Sequence, residues 1–465
     1  MAKLEKYDLK NKLAYGVGNV GDMIAYQSFT LLIFVFYFAI VIKDAILITI
    51  GFIIWSIWNS LNDPLLGWIS DRTKKDMGRR KFWTIIALVP ASVVMVLLFT
   101  PPLMFGIADV WINWIYFLII ICFFDFAYTM FSLNVTSAFP EMYMEQSDRN
   151  QASLIRRVLT IVGLIIAFLL PVIIIGDTES LGSFWNGNYL IAGIVLGVLV
   201  AACLIIVIKW GLKERKEFSK DPMKNPGFFE SLKITLKNRN FQVLVGGNLC
   251  NWYIYGLIPT SILLFGQHVL GFAEDIYSSI LLLLAFLAAA AFMPMWKKYG
   301  DTHGNQKALT MSFILWGIGF IPFLFLPADP ISYFIAIPIM VFIGIGISGS
   351  ILLMDLLISD VIDDDEVKTG IRREGAFYGV NALVIRLATI LVMVSIMVIF
   401  AGNGWGAYTP RPGTDVIMGL KILMSVFPAG AAFIGAYCFH KFPLKGQKLA
   451  EVKEKLIKIH KDKSE

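Results

Sequence analysis

The chain has 465 residues, of which 57% are hydrophobic and 16% charged, with a net charge of +6 and a mean hydropathy of +0.71. A soluble domain carries about 45–50% apolar and about 25% charged residues, and 36 Phe with 12 Trp exceed what a single water-surrounded core would bury. Composition therefore excludes an ordinary soluble enzyme and a disordered chain. A secreted disulfide scaffold is excluded too, because Cys122, Cys203, Cys250 and Cys438 lie far apart inside apolar runs.

A bilayer-crossing helix needs about 20 mostly apolar residues. Twelve such runs are predicted, centred near Tyr26, Ser56, Ala91, Phe123, Leu164, Val198, Tyr253, Leu284, Trp316, Met340, Leu387 and Pro428. They leave almost nothing for a soluble domain. Met1 to Lys12 holds four lysines and no apolar run ahead of them, so no cleaved signal is expected and the first span acts as the insertion signal.

Lys and Arg set orientation through the excess they build on the cytoplasmic side. If the spans alternate, 36 of the 40 basic residues fall on one side: the N-terminal tail, residues 71–81, 140–157, 209–239, 297–307 and 359–373, and the tail after His440. Only Lys43 and Arg411 fall opposite, with Arg386 and Lys421 in or near spans. The positive charge thus reads as a cytoplasmic face with both termini inside a cell (plasma) membrane, and gives no case for a nucleic-acid partner.

The longest cytoplasmic loop divides the chain into residues 1–210 with six spans, a basic linker 211–240, residues 241–440 with six more, and a basic tail 441–465. This is the layout of the major facilitator superfamily: an all-α membrane protein of twelve transmembrane helices in two six-helix halves that hold solute near the midplane. The loop after span two carries Gly67, Asp71, Arg72, Gly78, Arg79, Arg80 and Lys81, resembling that superfamily's G-x3-D-R-x-G-R-[RK] loop with extra residues. A weaker equivalent follows span eight, at Gly300, Asp301, Gly304 and Lys307.

Ionisable groups inside a bilayer cost at least about 2.5–3.5 kcal/mol at the helix centre and mark function by default. In span one Asn19, Asp22 and Tyr26 share a helical face; in span two Trp55, Asn59, Asn62 and Asp63 do so; in span four Asp125, Thr129, Ser132 and Thr136; in span seven Asn248, Asn251, Trp252 and Tyr255. Four polar stripes are most economically pointed at one water-accessible cavity. Each has a plainer reading as well. Asn19, Thr129 and Asn248 suit simple helix-to-helix hydrogen bonds, the aspartates suit structural ion pairs, and Arg156 at the start of span five suits snorkelling. Arg386, halfway along span eleven, has no plain reading except a buried ion pair.

The run Trp58-Asn59-Ser60-Leu61-Asn62-Asp63-Pro64-Leu65-Leu66-Gly67 resembles the span-two signature of the glycoside-pentoside-hexuronide:cation symporters, the melibiose-permease family. So does a stretch placed at the opening of span eleven: Asp360, Asp363, Asp364, Glu366, Lys368, Thr369, Gly370, Arg372, Arg373, Glu374 and Gly375, followed by Phe377 and Tyr378. Lys12 to Gly18 also fits, and the likeness covers essentially the whole membrane domain. It implies a cation site at Asn59, Asn62, Asp63 and Thr129, with Ser132 beside it. Two of the family's three carboxylates there are replaced by Asn59 and Ser132. The sugar-gripping aspartates of spans one and four are matched by Met23 and Ser132, the span-five arginine by Arg156, the span-eleven lysine by Arg386 and the sugar-stacking tryptophan by Thr136.

A hard cation wants several oxygen ligands and a negative charge, and at that spot only Asp63 keeps one. A proton needs one buried carboxylate, which Asp63, Asp22 or Asp125 offers. Asp125 stands outside the family pattern and restores charge two turns from Ser132.

The expected function is secondary transport by alternating access, as a cation-coupled symporter of a sugar or glycoside, with proton or sodium as coupling ion and no other cofactor. Asn19, Asp22, Tyr26, Asp125, Ser132, Thr136, Arg156, Trp252 and Arg386 are expected around the solute. Asp71, Arg72, Arg79, Asp360, Asp364, Arg372 and Glu374 are expected to latch the cytoplasmic side. The alternative is a uniporter or proton-coupled carrier of an anionic or lysolipid-like solute. No HExxH, GxSxG or clustered Cys and His occurs, so neither an enzyme nor a metal site is expected. The expected partners are a small-molecule solute and the lipid bilayer, with the chain a monomer.

Overall fold

The computed structural model describes residues 7–73, 77–143, 146–176, 188–213, 238–272, 275–369, 374–409 and 411–464. Among the described residues, twelve helices are long and apolar enough to cross a membrane, as the hydropathy pattern predicts. They are α1 (Leu9–Phe36), α2 (Ala45–Arg72), α3 (Arg79–Leu97), α4 (Val110–Met142), α5 (Gln146–Ile175), α6 (Asn188–Ile206), α7 (Arg239–His268), α8 (Asp275–His303), α9 (Asn305–Phe320), α10 (Ile331–Thr369), α11 (Glu374–Gly402) and α12 (Thr414–His440); a thirteenth, α13 (Gln447–Ser464), follows. Single π-type turns, Tyr37–Val41 and Val207–Gly211, prolong α1 and α6.

Local sequence starts these helices. Asp8, Asp44, Asp109 and Asn238 accept hydrogen bonds from the first free backbone N–H groups of α1, α2, α4 and α7. Gly78 and Gly304 precede α3 and α9 with nearly the same backbone, φ 95° and ψ 145° against φ 91° and ψ 142°. Only glycine takes that conformation without strain. The weak sequence likeness between the loops after spans two and eight thus has a common conformational cause.

The chain forms two compact units. The first comprises Met1–Met223, Ala273–Ile280 and Trp405–Arg411. In it α1 lies along α5, α2 packs on α4, and α3 packs on α4 and α6. Gly163 permits the closeness of α1 and α5, since a Cβ there would stand 2.8 Å from Met23 Cβ. The segment Trp405–Arg411 is tied to the start of α2: Ala45 N–H donates to the Gly406 carbonyl (2.9 Å) and Tyr408 N–H to that of Lys43 (3.0 Å). Trp405 and Tyr408 both pack edge-on against Phe38.

The second unit comprises Lys224–Phe272, Leu281–Gly404 and Pro412–Glu465. Here α7 packs on α12 and α11, α9 on α10 and α12, and α13 on α10. Outward faces such as Val89, Ile119, Phe334 and Leu391 are apolar and exposed, while Asn59, Asn62, Asp125, Thr129 and Asn248 are buried. This inverts a soluble protein's arrangement, as a lipid solvent requires.

One expectation is corrected. The acidic stretch Asp360 to Glu366 closes α10, a 39-residue helix, and does not open span eleven. No glycine or proline interrupts Ile351 to Thr369, so the helix runs on, and Asp360, Asp363, Asp364, Asp365 and Glu366 are all buried.

Candidate functional site

Helix α4 presents Asp125, Thr129 and Ser132 on one stripe, and each meets a polar residue of the first unit. Asn62 Nδ2 donates to Asp125 Oδ2 (2.9 Å), Thr129 Oγ1 donates to Asp63 Oδ1 (2.9 Å), and Ser132 Oγ donates to Asp22 Oδ1 (2.6 Å). The three contacts form a ladder down α4, the first two rungs reaching α2 and the last α1. Asn59, one turn before Asn62 on α2, is 2% exposed, and its Oδ1 has no hydrogen-bond partner. Asn62 is fully buried, and its Oδ1 also has none.

Beyond Ser132 the polar surface continues onto α5. The rings of Tyr26 and Tyr128 lie 5.3 Å apart. Arg156 Nε donates to Asn19 Oδ1 (3.1 Å), while Asn19 Nδ2 reaches Thr160 Oγ1 at 3.4 Å. The Arg156 guanidinium lies over the Phe139 ring, 4.6 Å from its centroid. A cation on an aromatic face keeps its charge while losing water, so Arg156 is held in place by a specific acceptor and is not merely snorkelling. Thr136, one turn past Ser132, is exposed.

The polar residues of α7 belong to the second unit and pair there. Asn248 Nδ2 donates to Asn381 Oδ1 on α11 (2.5 Å), Asn251 Nδ2 reaches Asn248 Oδ1 (3.3 Å), and the Tyr255 hydroxyl meets Ser350 Oγ on α10 (2.7 Å). Trp252 is 36% exposed, its ring 5.9 Å from that of Tyr255. Arg386 is partly buried on α11.

Part of the acidic end of α10 is ion-paired within its own unit. Lys453 of α13 reaches Asp360 Oδ1 and Asp363 Oδ2, both at 2.7 Å. Asp364 Oδ2 accepts from Lys368 Nζ (2.6 Å) and from Asn240 Nδ2 (2.7 Å). Burial opposes charge on Lys453, but hydrogen bonds and attraction from Asp360 and Asp363 outweigh it and hold its pKa above the usual value. Arg79 begins α3. The whole of Arg372 and the side chains of Asp71, Arg72 and Glu374 lie outside the described residues.

Three polar contacts escaped the sequence reading. Lys453 lies in the basic tail, whose charge topology alone explains in the sequence. Arg80 Nη1 donates to Ser70 Oγ (3.2 Å), which donates to Asn134 Oδ1 (2.5 Å), knitting α2, α3 and α4 behind the basic loop. Lys12 Nζ pairs with Asp148 Oδ1 at 2.9 Å, with 4% and 11% of the two side chains exposed. The one available signal was the burial-prone position of Lys12 beside Leu13 and Ala14 at the head of an apolar run.

Comparison with known proteins agrees with this architecture. Residues 14–446 match the family model described as MFS/sugar transport protein. A sodium-dependent lysophosphatidylcholine symporter of Xenopus tropicalis is 23% identical, covering 86% of this chain and 80% of its own. A Salmonella typhimurium protein assigned as a sulfoquinovose importer is 24% identical, covering 98% and 94%. The crystal structure of a D-xylose-proton symporter superposes with a TM-score of 0.64 at 14% identity, covering 93% of this chain and 97% of that one. Twelve apolar helices with buried polar ladders, matched over nearly their whole length, place the chain in the MFS/sugar transport protein family as a multi-pass secondary transporter.

Proposed function

We propose that the chain is a cation-coupled symporter of a sugar or glycoside, working as a monomer in the cell membrane with both termini cytoplasmic. The observation that carries this reading is the ladder on α4. Its first two rungs join Asn62, Asp63, Asp125 and Thr129, an oxygen-rich group suited to a cation. Its third rung joins Asp22 and Ser132 beside Asn19 and Arg156, a charged and hydroxyl-bearing group suited to a polyol. The two groups share one helix, so occupancy of one alters the packing and field at the other. That is what coupling requires. Transport follows by alternating access, as in repeat-built carriers.

The test is solute uptake into proteoliposomes under separate sodium and proton gradients. Accumulation of a sugar driven by one of them is the expected result. Uptake that neither gradient drives would reduce the protein to a uniporter.

A second reading, an anionic or lysolipid-like cargo, is favoured by one specific feature. Met23 stands where the family resemblance places a sugar-gripping aspartate, while Arg156 is fixed by Asn19 and Phe139. A fixed guanidinium suits a phosphate or sulfonate. Thermal stabilisation by sugars, sugar acids and lysolipids separates the two, and a response to lysolipids alone would replace the sugar reading.

A further inference from the structure

Asp63 alone is a poor cation site, because one carboxylate against an alkali ion leaves most of the ion's coordination unfilled. The family resemblance puts two more carboxylates near it, at positions that are Asn59 and Ser132 in this chain. Ser132 does not supply a charge, and its hydroxyl is committed to Asp22.

The structure supplies another carboxylate from outside that pattern. Asp125 is 3% exposed and lies one helical turn before Thr129 on α4. Residues at i and i+4 are surface neighbours on a helix. Asp125 is joined to Asn62, and Thr129 to Asp63, the next residue of α2. One buried and one half-buried carboxylate, Asp125 and Asp63, are therefore held by two adjacent rungs between the same two helices.

Independent of the carboxylates, two amide oxygens stand ready. Asn62 spends its Nδ2 on Asp125, leaving Oδ1 without a partner although the residue is fully buried. Asn59 Oδ1 is likewise buried and without a partner. Buried carbonyl oxygens in native proteins are normally satisfied, and each exception asks for an ion, a water or a function. A proton bound to a carboxylate leaves both amide oxygens unsatisfied. Carbonyl oxygens of this kind are ligands that a hard cation uses.

We propose that Asp125 provides the second negative charge of an oxygen-only site for a monovalent cation, formed with Asp63, Asn59, Asn62 and Thr129, this charge standing two turns from Ser132 toward the α4 N-terminus. This rests on the cation-coupled reading above and goes beyond it in naming the ion class and the relocated charge. The donor set contains no sulfur or nitrogen ligand, which suits a hard ion such as sodium.

The experiment uses the purified full-length protein in detergent. Its melting temperature is titrated with sodium chloride at ionic strength held constant by choline chloride. The wild type should gain stability with sodium, and Asp125→Asn should raise the half-saturating sodium concentration at least about tenfold. Asp125→Glu, which keeps the charge, should stay within about threefold of wild type, well under that tenfold step. Asn59→Asp added to Asp125→Asn should restore the response by returning a carboxylate to α2. The double variant keeps the idea falsifiable if Asp125→Asn alone folds poorly.

An Asp125→Asn protein that titrates like wild type would overturn the assignment, as would a folded double variant with no recovery. A wild type indifferent to sodium that still accumulates solute on a proton gradient would sink this site and leave the symport reading standing. Failure of both gradients in the liposome assay would instead sink the symport reading.

Discussion

Asp22 of α1 accepts a 2.6 Å hydrogen bond from Ser132 of α4, so a carboxylate on the first helix stands against the position where the family resemblance implies one on the fourth. Asp22→Asn keeps an acceptor for Ser132 while removing the charge. The concentration of sugar for half-maximal uptake should rise about tenfold or more, with sodium stabilisation retained. Uptake at the wild-type concentration would remove Asp22 from the cargo site.

Asp63 is held by Thr129, and coupling should depend on its charge. Asp63→Asn should abolish gradient-driven accumulation while solute counterflow continues. Thr129→Ala loses only a hydrogen bond of a kind worth about 0.6 kcal/mol between membrane helices, so it should weaken the cation response and leave folding nearly intact. Unchanged accumulation in Asp63→Asn would rule that carboxylate out of coupling.

Arg156 should not be replaceable by lysine. Its Nε donates to Asn19, and its planar guanidinium lies over Phe139, features a lysine ammonium cannot reproduce together. Arg156→Lys should lower apparent affinity for solute about tenfold or more with normal expression. Full activity would return Arg156 to the role of a snorkelling surface cation.

Lys12 and Asp148 form a nearly buried pair that also engages Gln151 Oε1 and the Tyr7 N–H. Removing one partner strands a buried charge, at a cost of about 3–5 kcal/mol. Lys12→Met should therefore lower the melting temperature sharply. Lys12→Met with Asp148→Leu should recover much of the loss, because the stranded charge goes too. Equal melting of the single and double variants would contradict the burial argument.

Lys453 gives a pH-dependent contact outside the spans. Its folded pKa lies above the ordinary 10.5, so its stabilising contribution is complete below pH 10.5 and fades as pH climbs through the folded value. The side chain is 44% exposed, so screening holds the contribution to about 1 kcal/mol. Lys453→Gln should melt a few degrees lower than wild type at pH 7, and the gap should close at strongly alkaline pH. A gap that persists there would point to packing of α13 in place of charge.

The sequence alone determined the class of this protein and most of its outline. Apolar runs of span length and basic loops act through neighbours in the chain, so they are legible without a fold. Helical periodicity also showed that Asp125, Thr129 and Ser132 share a face. It could not show what that face meets, because the partner of a helical stripe lies on another helix many residues away. Only the tertiary structure decided that Asp125 meets Asn62, that Asp22 meets Ser132, and that Lys453 pairs with Asp360 and Asp363 at the end of α10. Asp360 to Glu366 were misplaced for the same reason. Acidic residues usually end a span by seeking water, and here buried contacts from α7 and α13 let the helix continue through them.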